Sequence, residues 1–232
     1  MMSLQTHRTG PCTAVADLKN IAGKVQGFTP STRLLAILFM RKGQEITDKL
    51  ITPSLNYFNV RSGKNLHFIM PSWILQRAGR GTDPASVEKW AYSDELFARS
   101  CQVIASETRW KYSGGTDLLL ITTRRATKND IVLEFSGAIN IPLHVMINKK
   151  LVESPEVLFE RLIRFAESYE GPDPLLHLSL QEARVSLFEG VINAILSYIS
   201  KDMKDRLDYA KHFLIQDVSK ETPSGLALVQ FP

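Results

Sequence analysis

Seven apolar residues in succession, Leu34 to Met40, make the strongest pattern in the chain. No polar position interrupts the run, which suits a central strand covered on both faces rather than a strand with one wet side. Upstream, Val15, Leu18, Ile21, Ala22 and Val25 fall at helical spacing, and Gly27 to Ser31, with Pro30, breaks that helix. Downstream of Gly43, the apolar positions Ile46, Leu50, Leu55 and Phe58 predict a helix bent or restarted at Pro53. The turn Arg61 to Asn65 then leads to a second strand, Leu66 to Met70. Pro71 to Ser86 holds Gly79, Gly81 and Pro84 and reads as a long loop, either functional or flexible.

Ser93 has the character of an N-cap, with Asp94 and Glu95 in the first turn, where the helix dipole favours negative charge. Leu96, Phe97, Cys101, Ile104 and Ala105 give that helix its apolar stripe. Gly114 and Gly115 punctuate before a third strand, Asp117 to Thr123, and the polar stretch Arg124 to Asp130 reads as a hairpin connection to a fourth, Ile131 to Phe135. The pattern leaves open whether Ala138 to Met146 prolongs that strand; Pro142 argues for an edge or a break. Ser154, Pro155 and Glu156 start a helix with Pro at its first position, and Val157, Leu158, Leu162, Phe165 and Ala166 form its buried face.

Gly171 to Pro174 is the clearest linker. Beyond it, Ser179 caps a helix carrying Leu187, Phe188, Val191, Ile192, Ile195 and Ile199, and Met203, Leu207, Ala210 and Leu214 continue the spacing. Pro223 to Pro232 reads as a tail in which Leu226, Leu228, Val229 and Phe231 offer an edge strand. The organisation expected is an N-terminal helical segment over 1–29, an α/β domain over 30–170, a helical extension over 175–220 and a tail over 221–232.

With 44% hydrophobic and 22% charged residues, the 232-residue chain has an ordinary globular composition, and no apolar run approaches the roughly 20 residues of a membrane span, so no membrane association is expected. Met1 to Pro11 lacks the apolar core of a secretory signal, and Cys12 and Cys101 stand far apart, so a reduced, cytoplasmic protein is expected. Net charge is +4 but unevenly placed: residues 1–150 hold 20 Lys+Arg against 11 Asp+Glu, and residues 151–232 hold 8 against 13. The asymmetry, +9 against −5, suits a basic face for an anion or nucleic acid, or equally an acidic half that docks on the basic one.

Motifs that would carry chemistry are absent. His7, His67, His144, His177 and His212 show no metal-ligand spacing, so no metal is expected. No glycine-rich phosphate loop and no nucleophile elbow occurs, so no cofactor is expected either. Arg61 to Lys64 offers cations and amides enough for a phosphate, or is a surface turn. Cys101 lies on the apolar side of its helix, where a thiol behaves as a small hydrophobe. Arg109-Trp110-Lys111-Tyr112 interleaves aromatics with cations, and Trp73, Arg77, Arg80 and Trp90 bracket the long loop. Such mixtures grip single-stranded nucleic acid, mark protein interfaces, or seal a core beside a loop.

The βαβαββα order of residues 30–170, with the Pro53 bend, resembles the thioredoxin-like superfamily. The resemblance implies an α/β fold with a mixed central sheet, followed here by the helical extension. Redox members carry Cys-x-x-Cys after the first strand and a proline just before the third. This chain has Arg41-Lys42-Gly43-Gln44-Glu45-Ile46 and Ser113-Gly114-Gly115-Thr116 at those places. Disulfide exchange needs an activated thiolate and a resolving thiol, so it is not expected. The resemblance also implies that the first and third strands are antiparallel neighbours, which would bring Arg41, Lys42, Gln44 and Glu45 near Tyr112, Ser113, Gly114 and Thr116. An edge of this kind suits a ligand or a partner peptide, unless both glycine sites are ordinary turns.

The function expected is a non-catalytic cytoplasmic binding or adaptor protein. It would hold a protein partner by that basic edge, or by the loop bearing Trp73, Arg77 and Arg80, and would self-associate through the apolar stripe from Leu187 onward. Two alternatives stay open: nucleic-acid or nucleotide binding by the basic half, and an enzyme whose site assembles from Glu45, His67, Asp117 and Glu134.

Overall fold

The uninterrupted apolar run becomes the interior of a sheet. β1 (Arg33–Phe39) pairs in parallel with β2 (Leu66–Ile69) and antiparallel with β5 (Asp117–Thr127). β6 (Asp130–Pro142) follows antiparallel to β5, and β7 (Gln216–Asp217) pairs antiparallel with β6, giving the order β2-β1-β5-β6-β7 among the described residues. β3 (Trp73–Gln76) and β4 (Lys89–Tyr92) pair antiparallel in a separate two-stranded sheet. The computed structural model describes residues 33–55, 66–76, 89–127, 130–152, 154–168 and 216–220.

Alternate β1 residues feed two cores, as strand pleating requires. Ala36, Leu38 and Met40 pack on one side with Leu118, Leu120 and the helices that cover that face. These are the irregular helical segment around Thr47–Ser54, α2 (Leu143–Asn148) and α3 (Pro155–Ser168), with the Phe68 and Phe159 rings 5.0 Å apart at the α3 contact. Leu35, Ile37 and Phe39 pack on the other side under α1 (Asp94–Glu107). The class is therefore α/β, a mixed sheet with helices on both faces.

Local chemistry explains the boundaries. Ser93 caps α1, its hydroxyl accepting the Leu96 amide at 3.3 Å, as the sequence predicts. The segment expected to bend at Pro53 is a π-type turn over Thr47–Ile51 followed by a 3₁₀ turn over Thr52–Ser54. Proline brings no amide to the helical ladder, and the Thr52 backbone amide and hydroxyl both settle on the Thr47 carbonyl.

Three stretches differ from expectation, and one that the pattern leaves open is resolved. Trp73–Gln76, expected as loop, is β3; the flanking prolines and glycines hide a short apolar run anchored by the buried Trp73. Arg124 to Asp130, expected as a connection, belongs largely to the two long strands, which pair out to Thr127 and Asp130. β6 extends to Pro142, where the ladder ends opposite Asp117 and a missing amide costs nothing, and α2 begins at the next residue. Gln216–Asp217, expected within the helical extension, is a short strand on Ile139 and Asn140. Beyond it, Thr108 bridges Ser219 and the Lys220 ammonium reaches the Ser106 carbonyl, tying 216–220 to the end of α1. The N-terminal segment, the turn at Arg61 to Asn65, the linker, the stripe from Leu187 and the tail all lie outside the described residues. No helix among the described residues is long and apolar enough to cross a membrane.

Phe39 is fully buried with its ring 4.4 Å from Trp110 and 6.2 Å from Phe97. Phe39→Ala is expected to cost about 3–5 kcal/mol, and the exposed Glu45→Ala no more than about 0.5 kcal/mol, by urea denaturation.

Candidate functional site

The β1–β5 register sets Phe39 opposite Asp117, so the residues after β1 and those before β5 emerge at one end of the sheet. There they are wired together. The Gln44 carboxamide donates from Nε2 to the Gly114 carbonyl at 2.7 Å and to the Tyr112 hydroxyl at 3.2 Å, while its Oε1 accepts the Arg41 amide at 3.4 Å. One side chain thus joins two segments about 70 residues apart, each hydrogen bond contributing about 1 kcal/mol. Gly114 has φ +89°, left-handed backbone that favours glycine.

Arg41 is pinned from the other side. Its Nη2 lies 3.0 Å from Asp94 Oδ1, and its guanidinium sits 5.7 Å from the centre of the Phe97 ring. Asp94 and Tyr92 both favour its charged form, holding its pKa above the ordinary arginine value. The Tyr92 hydroxyl is buried beside this group, its pKa raised chiefly by burial, and makes no hydrogen bond of good geometry. Tyr112, its ring 4.9 Å from Phe97, is pushed up to about 12, first by burial.

Behind the loop sits Asp117, a fully buried carboxylate. Its Oδ2 accepts the Ser113 amide at 2.9 Å and its Oδ1 the Ser113 hydroxyl at 2.5 Å; that hydroxyl in turn accepts the Gly115 amide at 3.3 Å. Burial raises the Asp117 pKa above the ordinary carboxylate value, against the two Ser113 bonds and a charge on His144. The Trp110 indole N–H also favours the charged form, without a hydrogen bond of good geometry. His144 closes the far side: its ring lies where any side chain on Gly115 would have to go, and its Nδ1 is 3.3 Å from the Thr116 carbonyl.

Of the expected binding residues, Arg41, Gln44, Tyr112, Ser113 and Gly114 come together. Lys42 and Glu45 are exposed at the same end, Glu45 paired with Lys49 at 2.9 Å. Trp73 is 7% exposed and its indole N–H donates to the Met40 carbonyl at 3.2 Å, so its ring packs in the core, one of the places open to an aromatic beside the loop. Arg77 and Arg80 lie outside the described residues. The scattered enzyme constellation does not assemble. Glu134 is in register with Thr122, five positions along β5 from Asp117 and so about 17 Å away. His67 is in register with Leu35 and thereby with Ile121, again far up the sheet. Asp94, Tyr92, Phe97 and Asp117 complete the site. Asp94 was visible only as a first-turn acid, and nothing in the chain links it to Arg41, 53 residues away.

Among the described residues no group of His, Cys, Asp and Glu is arranged to hold a metal ion. Comparisons with family models, curated proteins and solved structures return no match to this chain.

Gly115 is not in the left-handed region, so the penalty for a side chain there is steric alone. Gly115→Ala is expected to lower stability by about 1–3 kcal/mol, and adding His144→Ala should recover most of the loss in a double-mutant denaturation cycle. The Cys101 thiol is pushed up to about 12, first by burial and then by the Asp117 charge. At about pH 8 its alkylation, followed site by site by mass spectrometry, is therefore expected about a thousandfold slower than that of a free cysteine, with the rate still rising above about pH 10.

Proposed function

We propose that this chain is a non-catalytic, cytoplasmic binding protein of thioredoxin-like layout, holding a protein partner at the end of the sheet where β1 and β5 meet. The layout reading is supported by the order β2-β1-β5-β6, with β2 parallel and β5 antiparallel to β1. The observation that carries the functional reading is how the polar groups of that end are spent. Gln44 bonds Tyr112 and Gly114, Arg41 bonds Asp94, and Ser113 bonds Asp117. General acid–base or nucleophilic work needs a group poised to exchange a proton or attack near neutral pH. Here burial moves Cys101 and Tyr112 far above neutrality, and Asp117 spends both carboxylate oxygens on Ser113. What the end does offer is shape and one oriented cation, half-exposed Arg41 on an aromatic face. Rigid aromatic and arginine groups are what partner surfaces favour.

The test is purification of the full chain at low salt, with mass spectrometry of co-purifying protein and an absorbance ratio for nucleic acid. A discrete protein that stays with the wild type and is lost with Arg41→Glu and with Gln44→Ala is the expected result. A partner indifferent to both substitutions would overturn the site. Nucleic acid that leaves as salt rises would move the function to the basic half of the chain.

A further inference from the structure

The Asp117 carboxylate is the root of a hydrogen-bonded series that ends at the proposed binding surface. It takes both donors of Ser113; the Ser113 hydroxyl takes the Gly115 amide; and between those residues the Gly114 carbonyl receives Gln44, which also holds the Arg41 amide and the Tyr112 hydroxyl. An ionised carboxylate only accepts, and both of its oxygens are used by Ser113. A protonated one carries a hydroxyl that must itself donate. The oxygen already in contact with it is Ser113 Oγ, 2.5 Å from Oδ1, which on accepting from Asp117 would turn its own hydrogen elsewhere and share its lone pairs with Gly115.

We propose that Asp117 is a proton-operated latch: ionised, it holds the 113–116 turn and with it the Gln44 clamp closed, and protonated, it releases the Ser113 hydroxyl and loosens the surface formed by Arg41 and Gln44. The latch would regulate the partner surface proposed above and rests on that reading for its use, but its test involves no partner, so the two can fail separately.

Burial supports the proposal, because it displaces Asp117 upward from the ordinary value of 3.8, towards less acidic conditions. The groups that face it are His144 from α2, whose charge opposes that displacement, Cys101 from α1, and its neighbours Tyr112 and Trp110. The sign separates a latch from acid unfolding. With its folded value above its unfolded value, Asp117 binds more protons in the native state between the two. Lowering the pH through that window therefore strengthens this group's contribution to the fold while undoing its grip on Ser113.

The experiment is heteronuclear NMR of the labelled full chain from about pH 8 to about pH 4, following the Asp117 carboxyl carbon, the Gly115 amide and the Gln44 side-chain amide. The expected result is one shared titration, with Gly115 exchange protection, corrected for intrinsic rates, falling about tenfold across it. Asp117→Asn places a carboxamide donor against Ser113. It is expected to show the acid positions of Gly115 and Gln44 at neutral pH and no titration, whereas His144→Gln keeps the titration. Gly115 and Gln44 signals that stay still while Asp117 titrates would overturn the latch. So would signals that titrate unchanged in Asp117→Asn. Should Asp117→Asn fail to fold, Ser113→Ala decides: loosened Gly115 exchange at both ends of the range supports the latch, and a persisting pH dependence overturns it.

Discussion

β1 lies between β2 and β5 with Leu35 to Met40 at no more than 2% exposure, so both of its faces must be roofed and both of its edges hydrogen-bonded. Each fully buried aliphatic or aromatic side chain of that run contributes about 1.5–3 kcal/mol relative to exposure, which only helices on both sides of the sheet can supply. The parallel partner β2 requires a crossover, and the helical segment around Thr47–Ser54 sits in it. Antiparallel β5 carries the same alternation, Leu118 and Leu120 to one core, Leu119 and Ile121 to the other. A strand so enclosed has nowhere along its length for working chemistry. Polar function can begin only where it ends, at Met40 and after.

At that end the main chain runs out of ladder partners, and its amides and carbonyls find others. Side chains serve. The Met40 carbonyl takes the Trp73 indole N–H at 3.2 Å and the Ser72 hydroxyl at 3.5 Å; the Gly43 amide donates to Asp48 at 2.9 Å; the Arg41 amide goes to Gln44. The residue types that read as binding groups in the sequence are thus also the caps of the central strand. This explains why Gln44 joins both segments: one carboxamide, with a donor and an acceptor end, satisfies the end of β1 and the loop before β5 together.

Periodicity made the sheet legible because the core demands it. Leu35 to Met40, Leu66, Phe68 to Met70 and Leu118 to Ile121 are apolar for the reason that they are buried. Ser93 is likewise visible as a cap because its hydroxyl answers a local amide. What could not be read was non-local or brief. β7 is two residues long and carries no pattern, and β3 sits among turn formers that mask it. The meeting of Gln44 with Tyr112 and Gly114 followed from the antiparallel pairing of β1 and β5, since strand pairing decides which loop ends share a side of the sheet. The identity of Arg41's carboxylate did not, because two exposed residues 53 positions apart leave no trace in spacing. Trp73 is ambiguous for another reason: an aromatic beside a loop can face a ligand or seal a core, spacing does not separate the two, and its 7% exposure puts the ring in the core.

The same geometry bears on what binding at this end would cost. Arg41 and Asp94 keep side-chain exposures of 50% and 74%, so water and salt screen their attraction, and a partner carboxylate that takes Arg41 from Asp94 displaces a weak pair. Arginine order does not depend on Asp94 alone, because Phe97 lies beneath the guanidinium. That ring is held edge-on by Phe39 and Tyr112, at 6.2 and 4.9 Å, and Phe39 is itself part of the buried strand. The proposed partner would therefore meet a cation whose rotamer is supported from the core outward, with less side-chain entropy left to lose on association. Burial at the centre of the sheet and readiness at its end have one physical origin: the strand that cannot face water fixes the ring on which Arg41 rests.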